Sequence, residues 1–195
     1  IAANLRDHRY RPEVVHQPGC QEPVYTELLF RLPEGLDCGL SIQDLILSLE
    51  RNNNVHLIDQ LMLRKAIELL RANLDPERRL GINLSAVSFG MTEHFDELTA
   101  QLRSLPEPLR KRLVVEITET AIIEKPELWS MKLQQLRDLG LQIAIDDFGV
   151  GFASIAYLFR FRADYLKLDL SYSQRLHDSN VDALVQFLLS YGAHN

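Results

Sequence analysis

The segment at residues 141–151, LQIAIDDFGVG, constrains the fold more than any other part of the chain. As a strand it sends Ile143 and Ile145 to one face and Ala144 and Asp146 to the other, because successive side chains leave opposite sides of extended backbone. It then runs into Asp146-Asp147-Phe148-Gly149, with a second glycine at Gly151. Adjacent carboxylates repel unless a proton or a cation sits near them, and the glycines let the chain turn sharply behind them. Alone, such a pair reads as a solvated turn. Here the pattern recurs. Asn83 and Ser85 oppose Ile82 and Leu84, Glu116 and Thr118 oppose Val115 and Ile117, and Lys167 and Asp169 oppose Leu166, Leu168 and Leu170. In YTELLFR, Glu27 shares a face with Tyr25, Leu29 and Arg31.

These alternations predict strands at 9–15, 24–31, 80–85, 113–119, 141–146 and 165–170, the first two forming a loose hairpin around Pro18-Gly19. Between them the apolar spacing becomes helical. Ser41 caps a helix with Ile42, Leu45, Ile46 and Leu49 at the i, i+3, i+4, i+7 spacing, and Asn52-Asn53-Asn54 interrupts it. A second helix, about 56–72, turns Ile58, Leu61, Met62 and Leu69 inward. Phe95, Leu98, Leu102 and Leu105 mark a third, ended by Pro106 and Pro108. Trp129, Leu133 and Leu136 mark a fourth, running from Pro126 to Gly140. A short helix is expected near 154–161. A last one starts at a Ser179/Asp182 capping box, buries Val181, Leu184, Val185 and Leu188, and ends at Gly192.

Strands alternating with helices of this length imply a parallel α/β sheet, either open and doubly wound or closed into a barrel. A sheet covered by helices on both faces should be apolar on both. Here one face of each strand is polar, which favours a TIM-like (β/α) barrel: helices pack outside and polar side chains converge at the C-terminal mouth. The length of 195 residues fits one domain. A net charge of −6 without a basic stripe argues against a nucleic-acid polymer as partner. With only two cysteines, Cys20 and Cys38, a disulfide scaffold is not expected and a cytoplasmic location is. No apolar run approaches a membrane span, so no direct membrane contact is expected. Because the chain starts at Ile1, it is expected to be cut from a longer parent, itself open to membrane anchoring.

Convergence on one sheet face brings together Glu27, Asn83, Glu116 and Asp146 as oxygen donors, with Asp147 and Lys167 nearby. No His or Cys shares the pattern. An all-oxygen set suits Mg2+ or Mn2+ and disfavours zinc. One or two such ions among carboxylates form a template for phosphoryl chemistry, since they lower the pKa of water and neutralise phosphate.

With these segments in hand the chain resembles the EAL domains, the phosphodiesterase family that opens cyclic di-GMP to the linear dinucleotide. The naming motif Glu-Ala-Leu-x-Arg stands here as Glu27-Leu28-Leu29-Phe30-Arg31, and the family's N-L-S as Asn83-Leu84-Ser85. E-x-T-E is Glu116-Ile117-Thr118-Glu119, D-D-F-G-x-G covers 146–151, and K-x-D is Lys167-Leu168-Asp169. A kinase reading of Asp-Phe-Gly fails, since no glycine-rich loop or His-Arg-Asp segment accompanies it.

The resemblance implies that Glu27, Asn83, Glu116 and Asp146 ligate a first metal and Asp147 a second. It implies that Lys167, Glu119 and Asp169 are catalytic: Lys167 orients the attacking water, and Glu119 anchors the loop after Asp147. Arg31, Arg11 and Leu29 would contact the substrate. The implied fold is a barrel whose first strand runs antiparallel, here with six of eight strands. The whole chain, 1–195, reads as one EAL domain, incomplete at its C-terminus. The departures are Leu28 for the family alanine, Arg11 for a usual glutamine, and Val150 and Ala153 for a threonine and a serine. The family's later A-E-G-V-E strand and eighth strand have no counterpart. The chain alone is therefore expected to be poorly active and to associate, as a homodimer or with a partner, beside regulatory domains of its parent. The alternative is an inactive EAL domain that serves as a cyclic di-GMP receptor or protein-interaction module.

Overall fold

The computed structural model describes residues 9–16, 22–32, 39–72, 77–124, 126–149 and 160–173, together with 181–183, 185, 186 and 188. Six strands form one sheet in sequence order: β1 (Arg9–His16), β2 (Pro23–Arg31), β3 (Leu80–Asn83), β4 (Leu113–Thr118), β5 (Gln142–Phe148) and β6 (Tyr165–Leu168). β1 pairs antiparallel with β2, so the expected hairpin forms, and every later pair is parallel.

The sheet is open and curled. Lys167 on β6 places its Nζ 2.8 Å from Glu27 Oε2 on β2. Four strand steps separate those residues, about 19 Å in a flat sheet at ~4.8 Å per step. Only curvature brings the two side chains into contact. The result is an α/β half-barrel with the polar face of every strand turned inward.

Helices cover the outer face. α1 (Ile42–Arg51) starts at Ser41, whose Oγ accepts from the Asp44 amide at 3.1 Å. α2 (His56–Arg71) buries Ile58, Met62, Leu63, Ala66, Ile67 and Leu70. Leu61 and Leu69, expected inward, are only half-buried. Among the others, α4 (Thr92–Arg103) and α7 (Pro126–Asp138) bury the expected Phe95, Leu98, Leu102, Trp129, Leu133 and Leu136. Gly140, at φ 90°, closes α7, with the Leu141 amide reaching back to Leu136 O at 3.1 Å.

Four short helices were not expected: α3 (Ala86–Gly90), α5 (Glu107–Arg110), α6 (Glu119–Glu124) and α8 (Leu170–Ser173). At four to six residues each, they are too brief to show a period. They also trim the expected strands. β3 ends at Asn83, and Ser85 caps α3 by accepting from the Ser88 amide. β4 ends at Thr118, and Glu119 opens α6. β5 runs longer than expected, through Asp147 and Phe148. The predicted turn at Pro18-Gly19, both cysteines, Val150, Ala153, Ser179, Leu184 and Gly192 lie outside the described residues. So does most of the 154–161 helix. Residues 181–183, 185, 186 and 188 are helical, with Val181 and Val185 buried.

The core divides along the sheet. The outer cluster gathers Leu28, Ile82, Val115, Ile117, Ile143 and Ile145 with the helices. A small inner cluster holds Tyr25, Val114 and Ala144. The inner layer forms a floor, and the polar residues stand above it.

Candidate metal centre

Two residues along each strand from that floor, the inward side chains become polar. Tyr25 leads to Glu27, Gly81 to Asn83, Val114 to Glu116, Ala144 to Asp146 and Tyr165 to Lys167. Curvature gathers these five. Lys167 Nζ donates to Glu27 Oε2 at 2.8 Å, to Asp146 Oδ2 at 2.9 Å, and to Glu116 Oε2. Asn83 Nδ2 donates to Glu27 Oε1 at 2.6 Å. One oxygen from each of Glu27, Glu116 and Asp146 lies within 4.8 Å of the others. Three carboxylates against one ammonium leave the group with two uncompensated negative charges when all are ionised.

Burial sets the electrostatics. Glu116 is fully buried, and burial pushes its carboxyl up to about 7; Lys167 opposes the shift, while Glu27 and Asp146 add to it. Burial alone would lower Lys167. Glu116, with Glu27 and Asp146, outweighs it and raises the lysine above its ordinary value. The ammonium is therefore charged, and it stands where the carboxylates require a cation.

The other predicted site residues lie around this group. Glu119 is buried, and its Oε2 accepts from the Gly149 amide at 2.7 Å. The Gly149 carbonyl in turn accepts from the Tyr172 hydroxyl at 3.1 Å. Asp147 follows Asp146 in the left-handed region, φ 53°, with its amide on Asp146 Oδ1 at 2.9 Å. Its side chain is exposed and stands outside the three-carboxylate group. Burial raises its carboxyl, with Asp146 and Asp169 adding to the shift. Asp169 caps α8, its Oδ1 accepting from the Ser171 amide at 2.8 Å.

Arg11, Leu29 and Arg31 lie on β1 and β2, on the same sheet face as Glu27. Arg11 pairs across from Leu29, and Glu13 from Glu27. Arg11 binds Glu13, and Arg31 Nη1 donates to Phe30 O at 2.7 Å. Partial burial, followed by the charge of Arg11, lowers Arg31. Arg11 and Arg31 thus stand near each other beside the carboxylates, with Arg11 ion-paired to Glu13.

One supporting residue escaped the sequence reading. Asp59, on α2, is buried and accepts from the Ser85 amide at 3.0 Å, from Ser85 Oγ at 2.6 Å and from Ser88 Oγ. It ties α2 to the segment two residues beyond Asn83. The signal was a carboxylate inside the stripe Val55, Ile58, Met62, Ala66, where helical spacing places apolar residues.

The donor set fits a divalent cation. It is built from oxygens that lie within 4.8 Å of one another, and an ammonium already serves as counter-charge. Fold and site thus define a curled α/β half-barrel with an acidic cluster that could hold a divalent cation at the C-terminal ends of its parallel strands. The chain matches the EAL domain family over residues 2–194 and belongs to that family.

Among relatives, it is 31% identical over 189 residues to the bifunctional diguanylate cyclase/cyclic di-GMP phosphodiesterase MucR of Pseudomonas aeruginosa, covering 94% of this chain and 27% of that one. It is 36% identical over 145 residues to the cyclic di-GMP phosphodiesterase PdeB of Shewanella oneidensis, covering 73% of this chain and 17% of that one. The chain thus spans about a quarter or less of the length of these relatives. Among solved structures, a PaMucR phosphodiesterase in complex with c-di-GMP superposes with a TM-score of 0.81 at 26% identity, covering 97% of this chain and 81% of that one. The S helix-GGDEF-EAL portion of Vibrio cholerae LapD, bound to c-di-GMP, gives the same TM-score at 21% identity, covering 97% of this chain and 45% of that one. Among the described residues no helix is long and apolar enough to cross a membrane.

Proposed function

We propose that this chain is the phosphodiesterase domain of a bacterial second-messenger protein, hydrolysing cyclic di-GMP to linear pGpG with Mg2+ or Mn2+. The observation that carries this reading is the convergence of Glu27, Glu116 and Asp146 on one cationic point. Relatives named as cyclic di-GMP phosphodiesterases, and a similar structure solved with c-di-GMP, support the choice of substrate.

In this reading Glu27, Asn83, Glu116 and Asp146 hold the first ion, and Asp147 takes part in holding a second. The ions supply Lewis acidity toward water and the phosphoryl oxygens when bound. The protein does the rest. Lys167 orients the attacking water and stabilises charge that develops on the phosphoryl group. Arg31 and Arg11 bind the phosphate that does not react, and Leu29 packs against the ligand. Glu119 fixes Gly149 and through it the position of Asp147, while Asp169 shapes the turn behind Lys167. Water adds to phosphorus opposite the 3′ oxygen, and the P–O3′ bond breaks. One water proton ends on the leaving oxygen, so the product carries a 5′ phosphate and a free 3′ hydroxyl.

Incubation with cyclic di-GMP and Mn2+, followed by chromatography for pGpG, tests the assignment. Accumulation of pGpG supports it. Binding of the dinucleotide with no turnover selects the receptor reading instead.

A further inference from the structure

Among the described residues, three buried side-chain polar atoms have no hydrogen-bond partner: the Tyr25 hydroxyl, Glu116 Oε1 and Arg137 Nε. The first two lie on the inner face of the sheet, one layer apart. Such orphans are costly and rare in native proteins. Two of them in neighbouring layers, one in the floor and one in the carboxylate group, call for an explanation.

Gly81 shows how close they are. A methyl group there would lie 2.6 Å from Tyr25 Cε2 and 2.9 Å from Cδ2, and it would also overlap Glu116 Oε1. The missing side chain is the space into which the tyrosine ring and the carboxylate both fit. Tyr165 packs on the other side of that ring, with centroids 5.3 Å apart, and holds it in place. Tyr25 is only 2% exposed, so its hydroxyl is cut off from bulk solvent. The outer oxygen of Glu116 already belongs to Lys167. The inner oxygen faces the floor.

We propose that Tyr25 is a positioning residue of the metal centre: its hydroxyl supports the inner oxygen of Glu116 from below, so that the outer oxygen is presented to the cation, and Gly81 is the gap that admits the ring. This assignment rests on the reading of the cluster as a divalent-cation site. A partner behind a ligand fixes its orientation, and losing such a partner typically weakens metal binding by about 10–100-fold.

The test compares the wild-type chain with Tyr25→Phe by calorimetric titration with Mn2+, and follows the near-ultraviolet tyrosine difference spectrum on addition of the metal. We expect the variant to keep its circular dichroism spectrum, to bind Mn2+ about tenfold more weakly, and to lack the tyrosine signal seen in the wild type. Affinity within twofold of wild type overturns the role of Tyr25 and leaves the metal centre standing. A wild-type chain that binds no Mn2+ overturns both. Should Tyr25→Phe fail to fold, the wild-type spectrum alone decides, because saturation with Mn2+ without any tyrosine perturbation refutes the contact.

Discussion

The two faces of this sheet solve opposite problems with the same strands. On the outer face Ile82, Val115, Ile117, Ile143 and Ile145 are nearly inaccessible and belong to the apolar core cluster. Their contribution is transfer from water and close packing, about 25 cal/mol per Å² of apolar surface. On the inner face, one residue along, Glu116 is just as buried as Ile117 and gains nothing from burial. Its carboxyl is pushed up to about 7 and depends on Lys167 for compensation. Apolar packing is concentrated on one side and ionisable groups on the other, and the pleat separates them by a single residue.

Substitutions across that divide should therefore read out differently. The largest effect is expected for Glu116→Gln, which keeps the shape but removes the central charge. Mn2+ binding should disappear in calorimetry while the thermal midpoint stays near the wild-type value or rises, since a neutral side chain suits that buried position. Retained Mn2+ affinity would remove Glu116 from the ligand set. The mirror experiment is Ile143→Ala on the outer face. It should cost about 2–5 kcal/mol in urea denaturation, with unchanged Mn2+ affinity for the fraction that is folded.

Lys167→Ala sharpens the same comparison. Turnover of cyclic di-GMP should fall about a hundredfold or more while substrate affinity changes little, the signature of a group acting in the transition state. Near-normal turnover would leave Lys167 as counter-charge only.

The smallest effect concerns Asp59, a carboxylate buried on α2. Burial raises its carboxyl despite the donors on Ser85 and Ser88. A group whose folded value is raised binds its proton more tightly when folded, so its stabilising contribution is complete below the unfolded value and declines as pH rises. Asp59→Asn should remove that slope, so its stability relative to wild type should improve from acid toward neutral pH. A pH-independent difference between the two proteins would show that Asp59 does not titrate in this way.

Much of this was legible in the sequence. The phase of Glu27, Asn83, Glu116, Asp146 and Lys167 follows from period-two alternation, which one buried face enforces. The antiparallel start was legible too, because a short connection can join only antiparallel neighbours. What was not legible depends on curvature or on size. That Lys167 reaches three carboxylates, one of them four strands away, is a property of the curl and of no single segment. The short helices after Asn83 and Thr118 arise where Ser85 and Glu119 stop extending and begin to cap or anchor, a choice that tertiary partners make. Gly81 reads in sequence as a weak point in a strand; only the ring of Tyr25 shows what its missing side chain accommodates.

The peptide at Gly149 carries one more consequence. Its amide is held by Glu119 at the start of α6, and its carbonyl by Tyr172 in α8. With φ at 100° and the Tyr172 ring against its α-carbon, it accepts no side chain. Fixing a residue's backbone costs about 1–2 kcal/mol in conformational entropy, and here that cost is met when the chain folds. The turn that carries Asp147 is thus ordered before any ligand arrives, and free energy of binding need not be diverted into immobilising it.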